Sequence, residues 1–186
     1  MNHHKQFTTM QQELTTFDET REELIKDSRV LQHLAKKGMY AVHRNDLGEA
    51  AKIFTEALPL VKKLIAQYTN NYKLKIGAVT AALEEWCECY AYYVYAKDGV
   101  LLQKEETGLE TEDYLAAIGD LTGELTRKAI TLAIDKDYAG VKKIRVFVDD
   151  ILGQFLCFDF RNGELRKKTD QLRWNLQKIE ELLVRQ

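Results

Sequence analysis

Residues 76–96 read IGAVTAALEEWCECYAYYVYA, a run that holds Glu84, Glu85 and Glu88 and no lysine or arginine. A solvated helical face normally mixes signs, with opposite charges three or four residues apart. Here the residues three and four from Glu85 are Ala81, Ala82, Glu88 and Cys89, and those around Glu88 are Glu84, Glu85, Ala91 and Tyr92. On a helix, Glu85 and Glu88 therefore share a face without a local cation. Such carboxylates repel each other and lose hydration, so a shared proton, a cation from another helix or a metal must offset the cost. A second pair of acids stands in Asp120-Leu121-Thr122-Gly123-Glu124, four residues apart and again on one helical face. Ala116, Ala117, Gly119 and Gly123 surround it, so another helix can approach closely. Two facing helices, each with a carboxylate pair, can hold Mg²⁺ or Mn²⁺, hard cations that take oxygen ligands. The plainer reading stays open, with Glu124 paired to Arg127 or Lys128 and Glu85 to a lysine from another helix.

Other chemistries find less support. A di-iron bundle needs Glu-x-x-His pairs, and His33 and His43 do not follow these glutamates. The linear sequence contains no glycine-rich phosphate loop and no visible Ser/His/Asp or Cys/His grouping. Cys87, Cys89 and Cys157 are odd in number and spaced for neither a disulfide framework nor a zinc site, which fits a reducing, cytoplasmic setting. The start of the chain has no apolar signal region, and the glutamates of 76–96 speak against a membrane span.

A basic stripe offers a binding surface. Arg29, Lys36 and His43 are seven apart, Arg21 precedes Arg29 by eight, and Lys37 and Arg44 extend the row. It reads either as a solvated face or as a track for the phosphates of a nucleic acid. With a net charge of −2, the chain is not globally basic, so any such binding must be local to one surface.

Helices must position all of these groups. The chain has 186 residues, one proline and ten glycines, too few turn residues for an all-β fold. Heptad-like spacing of Leu14, Phe17, Leu24, Leu31, Ala35 and Val42 predicts a helix over 14–44, with residues 1–12 flexible. Asp46 reads as an N-cap with Glu49 as its capping-box partner, opening a helix to about 68 that Pro59 should kink or break. Further helices are predicted over 72–96, over 112–134 with Thr111 as cap, over 137–156 and over 164–185. Several long helices on short loops make one all-α bundle, a single domain spanning 1–186. The last helix has apolar residues at Leu165, Leu172, Leu176, Ile179 and Leu183, and others off that stripe at Trp174, Leu182 and Val184. More than one apolar face on a terminal helix suggests subunit contacts.

Three segments carry a family resemblance. Asp113-Tyr114-Leu115 with Asp120 to Leu125 resembles the signature helix of translin-associated factor X (TRAX), and Leu83-Glu84-Glu85-Trp86-Cys87-Glu88 is similar to the earlier TRAX segment with two glutamates three apart. Arg161-Asn162-Gly163-Glu164-Leu165-Arg166-Lys167-Lys168-Thr169-Asp170 resembles the translin segment ahead of the last helix, and Lys178-Ile179-Glu180-Glu181 continues it. The first helix matches only loosely. The likeness is to a compact, single-gene member of the translin/TRAX family, of prokaryotic type. It implies a seven-helix fold, assembly into a hollow homo-octamer, and binding of RNA or single-stranded DNA inside the shell. TRAX-type subunits further imply a metal-dependent endoribonuclease. By motif its acids would be Glu85, Glu88 and Asp120, with Glu124 as a fourth. Translin-type subunits lack this set and bind without cutting.

Overall fold

The computed structural model describes residues 3–184. The heptad seam of the first segment forms α1 (His3–His43), which buries Leu24, Ser28, Leu31, Ala35, Gly38, Ala41 and Val42. Of the stretch 1–12 expected to be flexible, residues 1 and 2 lie outside the described residues, and 3–12 continue this helix as an exposed extension. Leu14 also stands exposed, so the buried seam begins later than the spacing suggested. Gly38 marks the closest approach to the next helix. A Cβ built there would lie 2.6 Å from the Phe54 ring, a separation no side chain tolerates.

After a tight turn with Asn45 in the left-handed region, α2 spans Leu47–Asn70. Asp46 caps it by accepting the Glu49 amide, as expected; the reciprocal Glu49 side-chain bond of a full box is not among the described contacts. Pro59 does not break α2. It sits on the exposed side, while Ala57, Val61 and Leu64 pack inward around it. That burial outweighs the roughly 3 kcal/mol that a mid-helix proline costs.

The segment predicted to be helical from 72 divides into a 3₁₀ turn at Tyr72–Leu74 and α3 over Gly77–Asp98, closed by left-handed Gly99. A short α4, Lys104–Thr107, carries too few residues to leave a periodic signal. Next comes α5, Thr111–Ile134, whose cap position is Glu110 rather than Thr111, with no side-chain cap bond. Lys75 holds that end of the helix by pairing with Glu110 and, at 3.0 Å, with buried Asp113. The last two helices are α6, Tyr138–Phe155, capped by Asp137, and α7, Glu164–Val184.

The described residues form no strand, in agreement with the all-α expectation. α1 packs on α2 and α3, α3 packs on α5, and α5 packs on α6 and α7. Buried side chains from all the long helices merge into one core around Trp86, Tyr92, Ile118, Leu121 and Leu125. The α3–α5 contact thus lies at the middle of the bundle, with α1 on one flank and α7 on the other. No helix among the described residues is long and apolar enough to cross a membrane.

Candidate functional site

The inward faces of α3 and α5 are apolar, which fixes where the acids between them must go. Leu83, Trp86, Cys87 and Ala91 of α3 and Leu121, Leu125 and Ala129 of α5 are fully buried. Glu85 and Glu88, and likewise Asp120 and Glu124, lie on the margin of this seam, half-buried. The two pairs predicted on separate helices come within electrostatic reach of each other, and Glu88 feels the charge of the other three. Burial pushes its carboxyl up to about 8, and repulsion from Asp120, Glu124 and Glu85 adds to the shift. Among the described residues it has neither a hydrogen-bond nor an ion-pair partner. Glu84, on the adjacent face, is also raised by burial and by Asp113. It borders a cleft that includes Asp113, Asp159, Arg161 and Glu164.

Each of the three outer acids has a cation reaching in from another helix. Lys36 of α1 lies 3.4 Å from Glu85. His43, at the end of α1, lies 2.6 Å from Glu124 through Nε2, and Arg127 stands 3.7 Å from the same carboxylate. Lys168 of α7 donates to Asp120. Because a carboxylate accepts, the His43 Nε2 carries the proton, and Nδ1 faces the Tyr92 hydroxyl at 3.5 Å. The plainer expectation for Glu85 and Glu124, pairing with a lysine and with Arg127, is met in part.

This arrangement divides the basic stripe. Lys36 and His43 belong to the carboxylate cluster. Arg29, Lys37 and Arg44 are exposed and pair with no acid among the described residues. Arg21 is exposed too, and its guanidinium pairs with neighbouring Glu22 at 3.0 Å. Arg29, seven residues before Lys36, lies on the same side of α1 as the acids.

The donor set suits a hard divalent cation: four carboxylates, the central one unpartnered. With the outer acids turned to Lys36, His43 and Lys168, no three His, Cys, Asp or Glu side chains among the described residues converge closely enough to hold a metal ion. The two neighbouring thiols take no part. Cys87 and Cys89 lie on the inner side of α3, where burial pushes both upward. Sequence reasoning missed Lys168 and Tyr92 as members of the cluster. Lys168 sits in a run of three basic residues, Arg166 to Lys168, but its partner is 48 positions away.

Known proteins place this architecture. Translin of Gallus gallus is 33% identical over 75 residues, which is 40% of this chain and 33% of that protein. Human translin is 31% identical over the same length. The match thus spans about a third of the length of these curated relatives. An uncharacterized protein of Methanocaldococcus jannaschii is 25% identical over 169 residues, covering 89% of this chain and 75% of that one. The crystal structure of apo-NeC3PO superposes with a TM-score of 0.90 at 26% identity, covering 96% of this chain and 95% of that one. AfC3PO in its complex with duplex RNA superposes with a TM-score of 0.85 at 22% identity, covering the same 96% and 95%. The Translin family model matches residues 19–185, and the chain belongs to the Translin family.

Proposed function

We propose that this chain is a metal-dependent endoribonuclease that binds and hydrolyses RNA inside a cytoplasmic homo-oligomeric shell, an octamer, acting on single-stranded or otherwise accessible regions. The observation that carries the proposal is that Glu85, Asp120 and Glu124, from two helices, lie within electrostatic reach of Glu88, a half-buried carboxylate with no partner among the described residues. RNA as the polymer is supported by family membership and by AfC3PO, which shares the fold and was solved with duplex RNA. A shell is supported by apolar side chains left exposed on three helices and the loop after α6: Ile134, Val146, Phe158, Trp174 and Val184.

Glu85, Glu88 and Asp120 would hold Mg²⁺ or Mn²⁺, which when bound polarises a phosphate oxygen and lowers the pKa of a water at the site. Glu124 would ligate the metal or orient that water. His43, bonded to Glu124 and backed by Tyr92, keeps that carboxylate in one orientation. Arg29, Lys37 and Arg44, with Arg21 further along α1, contact backbone phosphates. Such contacts position the strand and read no bases, so cleavage follows strandedness and access rather than sequence.

A second reading has one observation in its favour. Lys36, His43 and Lys168 already match three of the four acids, as they would in an oligomer that binds RNA or single-stranded DNA without cutting it. One assay separates the two. Labelled single-stranded and duplex RNA are incubated with the metal-loaded protein, with and without EDTA, using wild type and Glu85→Ala. Cleavage that EDTA stops and Glu85→Ala lacks, with binding retained, establishes the enzyme. Binding without cleavage in Mg²⁺ and in Mn²⁺ establishes the scaffold.

A further inference from the structure

Lys168 is the more firmly held of the two lysines in the carboxylate cluster. Its side chain is 20% exposed, against 65% for Lys36. Its stem lies on the backbone of α5 at Gly119, where a built Cβ would stand 2.9 Å from the lysine Cβ, 3.3 Å from Cγ and 3.4 Å from Cδ. The position before Asp120 must therefore be glycine for this lysine to lie where it does. The register of α7 over α5 is held further along by buried Leu172 and by Asn175, whose Nδ2 donates to Thr122 Oγ1 at 3.0 Å. Among the described residues Asp120 is the one acid within ion-pair reach of the ammonium. Its charge also reaches Glu84 and Glu88, offsetting part of the repulsion among the acids.

The cations paired with the outer acids do not balance this cluster, since Glu88 remains without a partner among the described residues. A divalent ion would balance it better, and at Asp120 it would compete with the ammonium for Oδ1, the oxygen that accepts from Lys168. Lysine suits such a place. Its charge is compact and its stem flexible, so it leaves a carboxylate more easily than the two-pronged guanidinium of arginine.

We propose that Lys168 is the resident cation of the carboxylate cluster, a positioning residue that holds Asp120 until a divalent metal replaces it, so that metal binding is an exchange of one cation for another. The inference rests on the metal-dependent reading above. It predicts that removing the lysine charge makes metal binding tighter, the opposite of what loss of an ordinary supporting contact does.

The test uses the assembled, metal-stripped protein and titrates Mn²⁺, reading the free ion by electron paramagnetic resonance. Lys168→Met keeps the stem on Gly119 and removes the charge. Mn²⁺ affinity should rise about tenfold or more, because no cation has to be displaced or tolerated nearby. Lys36→Met should change it less, since that pair is more exposed and screened. Lys168→Gln, which keeps a donor for Asp120, should move affinity in the same direction as Lys168→Met and stands in for it if that protein does not fold. Circular dichroism checks the fold of each. Wild-type or weaker affinity in folded Lys168 variants overturns the exchange while leaving the metal reading in place. A wild type that binds no Mn²⁺ at millimolar concentration overturns both.

Discussion

The unpartnered Glu88 makes the resting cluster a source of instability whose size depends on pH. Its carboxyl is raised from 4.5 to about 8, so the folded state holds a proton that the unfolded chain releases at lower pH. The folded form therefore binds more protons between these values, and unfolding free energy falls as pH rises through that window. At about 1.4 kcal/mol per unit, the loss from pH 5 to pH 8.5 has an upper bound of about 4 kcal/mol. Glu88→Gln cannot ionise and should escape it. In EDTA, urea unfolding at fixed protein concentration should show wild type and Glu88→Gln nearly equal at pH 5. The variant should then gain roughly 2–4 kcal/mol by pH 8.5, the range allowing for relaxation of the cluster around an ionised Glu88. Mn²⁺ should restore the wild type at high pH and leave the variant little changed. A difference between the two proteins that stays constant across pH would refute the burial of Glu88 among like charges.

The site and the fold carry further outcomes. Glu85→Ala, Asp120→Ala and Glu124→Ala should each reduce RNA cleavage by at least about a hundredfold in folded protein, measured in single-turnover reactions; full activity in any of them removes that acid from the mechanism. Arg29→Glu should weaken RNA binding for all sequences alike and flatten its salt dependence in filter-binding titrations. Lys36→Glu should act differently, because it places a fourth like charge against Glu85. Gly38→Ala should destabilise the bundle by about 1–3 kcal/mol in chemical denaturation, since its Cβ meets the Phe54 ring at 2.6 Å. Assembly is checked by light scattering, where a mass near the 21.5 kDa of one chain would exclude a shell.

Much of this was legible from one dimension because helices write their faces at fixed intervals. The pairs Glu85/Glu88 and Asp120/Glu124, the cap at Asp46 and the long helices are all local consequences of spacing. Pairings across helices left no such trace. Nothing near Asp120 in the sequence announces Lys168, and the stripe on α1 gave no sign that Lys36 and His43 turn toward acids while Arg29, Lys37 and Arg44 do not. The same limit explains Pro59 and residues 3–12. A local rule gave the cost of a proline in α2 but not the packing that outweighs it. The heptad count found the seam of α1, but neither the first residue of the helix nor the point at which burial starts.

The thiols have a practical consequence. Cys87 and Cys89 are sealed within the bundle with their protons held tightly, whereas Cys157 is exposed just past the end of α6. Near neutral pH a maleimide dye has one target per chain. The natural sequence thus comes ready for a single fluorophore beside Phe158, on the exposed apolar surface. Energy transfer between dyes on neighbouring copies could then follow assembly in real time without a single engineered residue.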